Sequence, residues 1–130
     1  MTDPVEYLDL DDLLDLGHAL LGDRLRVRDV GVLGSAAARP QTVAFGEDAY
    51  PDIWTKAASL LQSILKNHAL VDGNKRLGWL ATATFMEMNG VRVTHISNDD
   101  VYEFVTGIAA GDHDVEEIAE ELRRLAASPT

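Results

Sequence analysis

Between residues 53 and 67 apolar side chains return every three or four positions. Wound at about 100° per residue, this stretch gathers Ile53, Trp54, Ala57, Ala58, Leu60, Leu61, Ile64 and Leu65 on one side, and leaves Lys56, Ser59, Gln62, Ser63 and Lys66 opposite. The pattern predicts an amphipathic helix, with His68 continuing it in the middle of the apolar face. Residues 74–89 are apolar nearly all round, through Leu77, Trp79, Leu80, Ala81, Ala83, Phe85, Met86 and Met88, as in a helix enclosed by its neighbours. We expect this segment to be the central helix, stopped by Asn89-Gly90. Upstream, Leu10, Leu13, Leu14, Gly17, Leu20 and Leu21 keep helical spacing over residues 9–22, with Asp11 and Asp12 in the first turn, where carboxylates are favoured. Downstream, Ser97 is placed to cap a helix running to Ala109, and Asp114 another running to Ala127.

The remaining segments are less regular. DRLRVRD, residues 23–29, alternates basic and apolar positions, which suits a short edge strand or a solvated connection; we expect the connection. Residues 30–51 contain Gly31, Gly34, Gly46, Pro40 and Pro51 around an alanine-rich patch, and predict a short helix near 33–38 followed by an irregular loop. A short extended piece is expected at 91–93. No internal repeat or low-complexity tract interrupts the pattern. The whole predicts an all-α, single-domain bundle of about six helices over residues 1–130.

Charge and composition narrow the function. A formal charge of −11 opposes direct nucleic-acid binding, which needs a surplus of lysine and arginine facing the phosphates. Most of the 22 acidic residues lie in 3–15, 47–52 and 99–121, so Lys75 and Arg76 stand in a locally basic middle segment suited to a small anion. Without cysteine, neither disulfides nor thiolate chemistry is available. No apolar run reaches the ~18 residues of a membrane span, and the acidic start MTDPVEYLDLDD is unlike a secretory signal, so a cytoplasmic protein without membrane contact is expected.

Between the two strongest helical patterns lies HALVDGNKR, residues 68–76. Its plainest reading is a tight connection in which Asp72 caps the helix starting near Asn74. That accounts for Asp72 and Gly73 but not for His68, Lys75 and Arg76. A helix N-terminus offers unpaired N–H groups and about half a positive charge, glycine permits close approach to the backbone, and two cations add full charges. Together these residues describe a phosphate cradle, although not the usual P-loop. His68 is expected to point inward toward that cradle, where an imidazole can take the proton of an attacking hydroxyl; Asp72 beside bound phosphates is a natural Mg²⁺ ligand. Phosphoryl or nucleotidyl transfer is the implied reaction.

The order H-x-x-x-D-G-N-K-R resembles the motif of the Fic/Doc superfamily, H-P-F-x-[DE]-[GA]-N-[GK]-x-x-R, and its K-R ending is similar to the Doc (death-on-curing) toxins. Similarity extends over roughly residues 9 to 125, through His18, RDVGVLGSAAARP, FGEDAYP and FMEMNG. The resemblance implies an all-helical Fic fold, ATP with Mg²⁺, and modification of a protein hydroxyl. Where most Fic enzymes have glycine after the motif asparagine and transfer AMP, Doc-like members have lysine and act as kinases that phosphorylate a threonine of elongation factor Tu and arrest translation; Lys75 falls on the kinase side. Carried onto this chain, His68 is the general base and Asp72 the metal ligand. Gly73, Asn74 and Lys75 form the anion hole, and Arg76 contacts phosphate. Lysine's bulk and charge give a physical reason for a different register of the triphosphate.

Two features depart from the family pattern. Ala69-Leu70 replaces Pro-Phe, whose phenylalanine anchors the loop, and no Ser/Thr-x-x-x-Glu-Gly/Asn inhibitory helix is present. Restraint is therefore expected from a cognate antitoxin whose disordered C-terminal segment folds onto the toxin. The alternatives are a Fic-type adenylyltransferase and a catalytically degenerate Fic-fold binding module. Arg39 lies in a region that in this superfamily approaches target or nucleotide, and is either a phosphate contact or a surface arginine before a turn. His18 is expected to be a packed structural residue, Trp54 and Trp79 core, Lys66 a solvated side chain, and Arg123-Arg124 an ordinary charged face.

Overall fold

The computed structural model describes residues 4–127. Six helices carry the architecture: α1 (Leu10–Leu21), α2 (Val30–Ala38), α3 (Ile53–Asn67), α4 (Asn74–Met88), α5 (Asn98–Ala110) and α6 (Val115–Ala127). Most starts are written in capping chemistry. Asp9 and Asp52 each accept the backbone N–H three residues on, from Asp12 and Thr55, whose side chains reciprocate in capping boxes. Asp29 caps α2 and Ser97 caps α5 through a single side-chain bond, from the N–H of Val32 and of Asp100, without the reciprocal half of a box. Because Asp29 supplies the cap, α2 begins earlier than the expected 33–38.

The core is one continuous cluster whose largest fully buried side chains include Leu13, Leu33, Leu60, Leu61, Ile64, Leu70, Leu77, Phe85, Met86 and Leu122. The centre is α3 rather than α4: α3 packs against α2, α4, α5 and α6. Part of its supposed polar face is buried too, since Lys56, Ser59 and Ser63 are enclosed there while Lys66 stays exposed. Short hydroxyls return their hydrogen bonds to the chain, as Ser59 Oγ does to the Lys56 carbonyl at 2.7 Å, so a second face can be covered without stranded polar groups. Helices α3 and α4 approach closely at Gly78, where a Cβ would lie 3.2 Å from both Leu61 and Leu65 methyls.

The expected irregular loop at 42–51 contains a hairpin, with β1 (Val43–Ala44) antiparallel to β2 (Glu47–Asp48). Its turn is made by Phe45 and Gly46, both at positive φ, the geometry that matches strand twist in two-residue hairpins. The Phe45 ring is wholly solvent-exposed. Lys56, buried in α3, holds the hairpin base by reaching Asp48 at 3.3 Å and the Tyr50 carbonyl at 2.5 Å. Segment 23–29 does contain a trace of the strand alternative, in an antiparallel bridge between Val27 and Leu70.

Candidate functional site

The elbow between α3 and α4 is anchored from three sides. Leu70 is fully buried and Ala69 nearly so, which fixes the middle of the elbow in the core. Leucine thus fills the place where the Fic/Doc motif has phenylalanine. Residues 26–29 pair alongside: Arg28 N–H donates to the Ala69 carbonyl at 2.7 Å, and Val71 N–H to the Arg26 carbonyl at 2.9 Å. Asn74 closes the remaining side, its Nδ2 donating to the Leu70 carbonyl at 2.9 Å while its Oδ1 accepts the Leu70 N–H at 3.1 Å. With the backbone held this way, the other side chains are released outward. His68, Val71, Asp72, Lys75 and Arg76 are all exposed.

Two expectations about this loop are corrected and a third is narrowed. His68 does not continue the apolar face of α3: it ends the helix in the left-handed conformation, φ 49 and ψ 53, and leaves the helical wheel for solvent. Asp72 does not cap α4. Its Oδ1 accepts the Gly73 N–H at 2.9 Å, and the N-cap is Gly73 itself, at φ 91 and with no side-chain bond. The amides of Asn74, Lys75 and Arg76 therefore have no partner among the described residues. Finally, the Asn74 side chain is committed to Leu70, so Asn74 offers an anion its backbone amide only.

Gly73 is favoured by its backbone conformation and by the close approach of a neighbouring side chain. Its positive φ lies in the region L side chains avoid, and a Cβ there would meet a Leu21 methyl at 2.8 Å. Leu21 of α1 thus packs directly beneath the start of α4. Lys75 and Arg76 make no hydrogen bond or ion pair among the described residues, which leaves two full positive charges beside three open amides.

A divalent cation carried by phosphates fits this donor set in part. Asp72 presents a hard carboxylate whose Oδ2 makes no hydrogen bond among the described residues. No group of three or more acidic or histidine side chains there is placed to hold a metal ion without additional ligands.

Elsewhere the outcome is mixed. Arg39 is not a solvated arginine before a turn: it bonds Tyr50, Ser59, Gln62 and Ser63. Lys66 is not a loose surface lysine, because its Nζ caps the C-terminus of α5 through the carbonyls of Ala109 (3.3 Å) and Gly111 (2.6 Å). His18 is exposed, not packed. Trp54 and Trp79 are partly buried against the core, with the Arg123 guanidinium 5.4 Å from the Trp54 ring centroid. A largely apolar groove of about 540 Å³ runs beside the elbow, lined by Leu20, Trp79, Leu80, Val101 and Val105, with Lys75 and Arg76 at its edge. No helix among the described residues is long and apolar enough to cross a membrane.

Residues 7–86, which include α1 to α3, the elbow and most of α4, match the model of the Fic/DOC family. The chain belongs to the Fic/DOC family. It is 48% identical over 124 residues to "Toxin Doc" of Mycolicibacterium smegmatis, covering 95% of either chain. It is also 30% identical over 98 residues to "Protein kinase doc" of Escherichia phage P1, covering 75% of this chain and 72% of that one. For a Fic/DOC protein, then, the elbow is the segment where backbone anchoring and open polar chemistry coincide.

Proposed function

We propose that this Fic/DOC chain is a Doc-like toxin of a toxin–antitoxin pair, a protein kinase that uses ATP and Mg²⁺ to phosphorylate a threonine of elongation factor Tu and so arrest translation in the cytoplasm. The observation that carries this reading is the uncapped start of α4, three open amides flanked by Lys75 and Arg76, following an exposed imidazole on an elbow whose backbone cannot drift. The names of the two relatives point the same way.

In this reading His68 takes the proton of the attacking hydroxyl as its oxygen bonds to the γ-phosphorus. The bond from that phosphorus to the bridging oxygen breaks, and ADP leaves. The amides of residues 74–76 and the cations of Lys75 and Arg76 hold the phosphates where negative charge gathers. Asp72 would hold Mg²⁺, whose charge would neutralise that of the phosphates. Lys75 stands where glycine serves AMP transfer, and its volume and charge favour the register that presents the γ-phosphorus.

The antitoxin's disordered C-terminal segment would fold into the groove along Leu20, Trp79, Leu80 and Val101, burying an apolar face and covering Lys75 and Arg76. Neutralisation is then occlusion of the phosphate site. The deciding experiment incubates the chain and elongation factor Tu with ATP labelled at either the γ- or the α-phosphate. Label from γ only, lost in His68→Asn, supports the kinase; label from α identifies AMP transfer. Label from neither, with no binding of Mg-ATP, identifies a binding module.

A further inference from the structure

The 3₁₀ turn Arg39–Gln41 delivers the Arg39 side chain onto α3, where every acceptor it meets is neutral. Nε donates to the Tyr50 hydroxyl at 2.9 Å, and Nη1 lies 2.7 Å from Gln62 Oε1, 3.0 Å from Ser63 Oγ and 3.3 Å from the Ser59 carbonyl. The guanidinium also lies over the Tyr50 ring, 5.4 Å from its centroid. No ion pair to Arg39 occurs among the described residues, and its Nη2 makes no hydrogen bond there. These contacts fix the orientation of the fork without cancelling its charge. The C-terminus of α2, which Arg39 follows, offsets at most about half a unit. A half-buried cation so arranged is an incomplete pair, since burial weakens the water that would otherwise solvate it.

Arg39 also lines a cavity of about 420 Å³, whose polar walls come from Ser35, Thr42, Ser63 and Asn67. Asn67 is the last residue of α3 and immediately precedes His68. We infer that this cavity is an anion subsite beside the base, in which the immobilised Arg39 guanidinium receives a carboxylate or phosphate of a molecule brought to His68. Its place in catalysis rests on the transferase reading above; its capacity to bind an anion does not. A charge-assisted bond to a fork already held in place loses little side-chain entropy, and the Ser35 hydroxyl can donate to a remaining anion oxygen, while that of Thr42 donates to the Arg39 carbonyl at 2.7 Å and so fixes the cavity wall.

The test is residue-resolved NMR of the full chain, following the Arg39 Nε–Hε signal and the Thr42 and Asn67 amides as inorganic phosphate or acetate is added. A Lys75→Ala/Arg76→Ala double variant weakens the competing site at α4. Saturable shifts at Arg39 that persist in the double variant and in His68→Asn are expected. Thr42→Asp, which sets a carboxylate opposite Arg39, should weaken them about tenfold, as should Ser35→Asp on the exposed face of α2. An Arg39 signal that does not move, or that moves only while Lys75 and Arg76 are present, overturns the subsite. ATP and a blocked peptide, acetyl-Glu-Thr-Glu-amide, are then titrated separately. Saturation by the first assigns the anion to the nucleotide, saturation by the second to the polypeptide substrate, and saturation by neither overturns any role beside His68. Because binding is read in the His68→Asn background, failure of phosphoryl transfer leaves this result standing, and the reverse also holds.

Discussion

The amide of Asn74 grips both backbone groups of Leu70, Nδ2 to the carbonyl at 2.9 Å and Oδ1 from the N–H at 3.1 Å, so that one side chain determines the shape of the elbow. Removing it strands two partly buried backbone groups. Asn74→Ala should cost about 1–3 kcal/mol, read as a shift of the denaturation midpoint, and should abolish phosphoryl transfer although no reacting atom is lost.

His68 presents the opposite case. Exposed, and with no hydrogen bond of its own among the described residues, it does little for the fold. Asparagine tolerates the left-handed conformation and cannot act as a base, so His68→Asn should leave stability within about 0.5 kcal/mol of wild type and lower turnover by about 10²- to 10⁴-fold. Denaturation and γ-label assays on the same preparation check both halves.

Glycines 73 and 90 form an internal comparison. Both hold positive φ, 91 and 83, but a Cβ at 73 meets Leu21 at 2.8 Å while one at 90 meets nothing within 4 Å. Gly90→Ala should cost about 1 kcal/mol of backbone strain. Gly73→Ala should cost more and reduce phosphate binding as well. Pairing it with Leu21→Ala should recover part of the difference, measured as a double-mutant cycle.

The groove reading makes a separable prediction. Val101 lines the groove on α5 and belongs to none of the phosphate-binding residues. Val101→Lys should keep the chain toxic and fully active on its substrate while weakening the antitoxin by about tenfold or more, since an ammonium would have to be buried under the incoming apolar face. Co-expression growth assays and calorimetry with the antitoxin's C-terminal peptide measure the two effects.

Much of this molecule is legible from spacing alone. The period of α3 and the short polar residues at Ser97 and Asp114 mark helices because periodicity and capping act locally. HALVDGNKR stands out because its polar groups exceed what a turn needs. The misses are cases where distant contacts decide. His68 lies on the apolar face of an ideal wheel, but the chain leaves the wheel at Asn67, and nothing in the local pattern records that exit. Lys56 and Lys66 look like solvent residues, yet their partners, Asp48, Tyr50, Ala109 and Gly111, come from other elements. Phe45 at positive φ breaks the rule by which hairpin turns are recognised, so β1 and β2 were hidden in an apparent loop.

Helix α4 forgoes the side-chain lid that opens its neighbours, and with it the ~1 kcal/mol such a lid supplies. Its first turn should consequently breathe. In the ligand-free chain the hydrogens on the nitrogens of residues 74–76 should exchange with deuterated solvent faster than those of Asp12 and Thr55, which the caps of α1 and α3 hold. Once an anion is seated they should slow together, making isotope uptake at three consecutive positions a label-free gauge of occupancy.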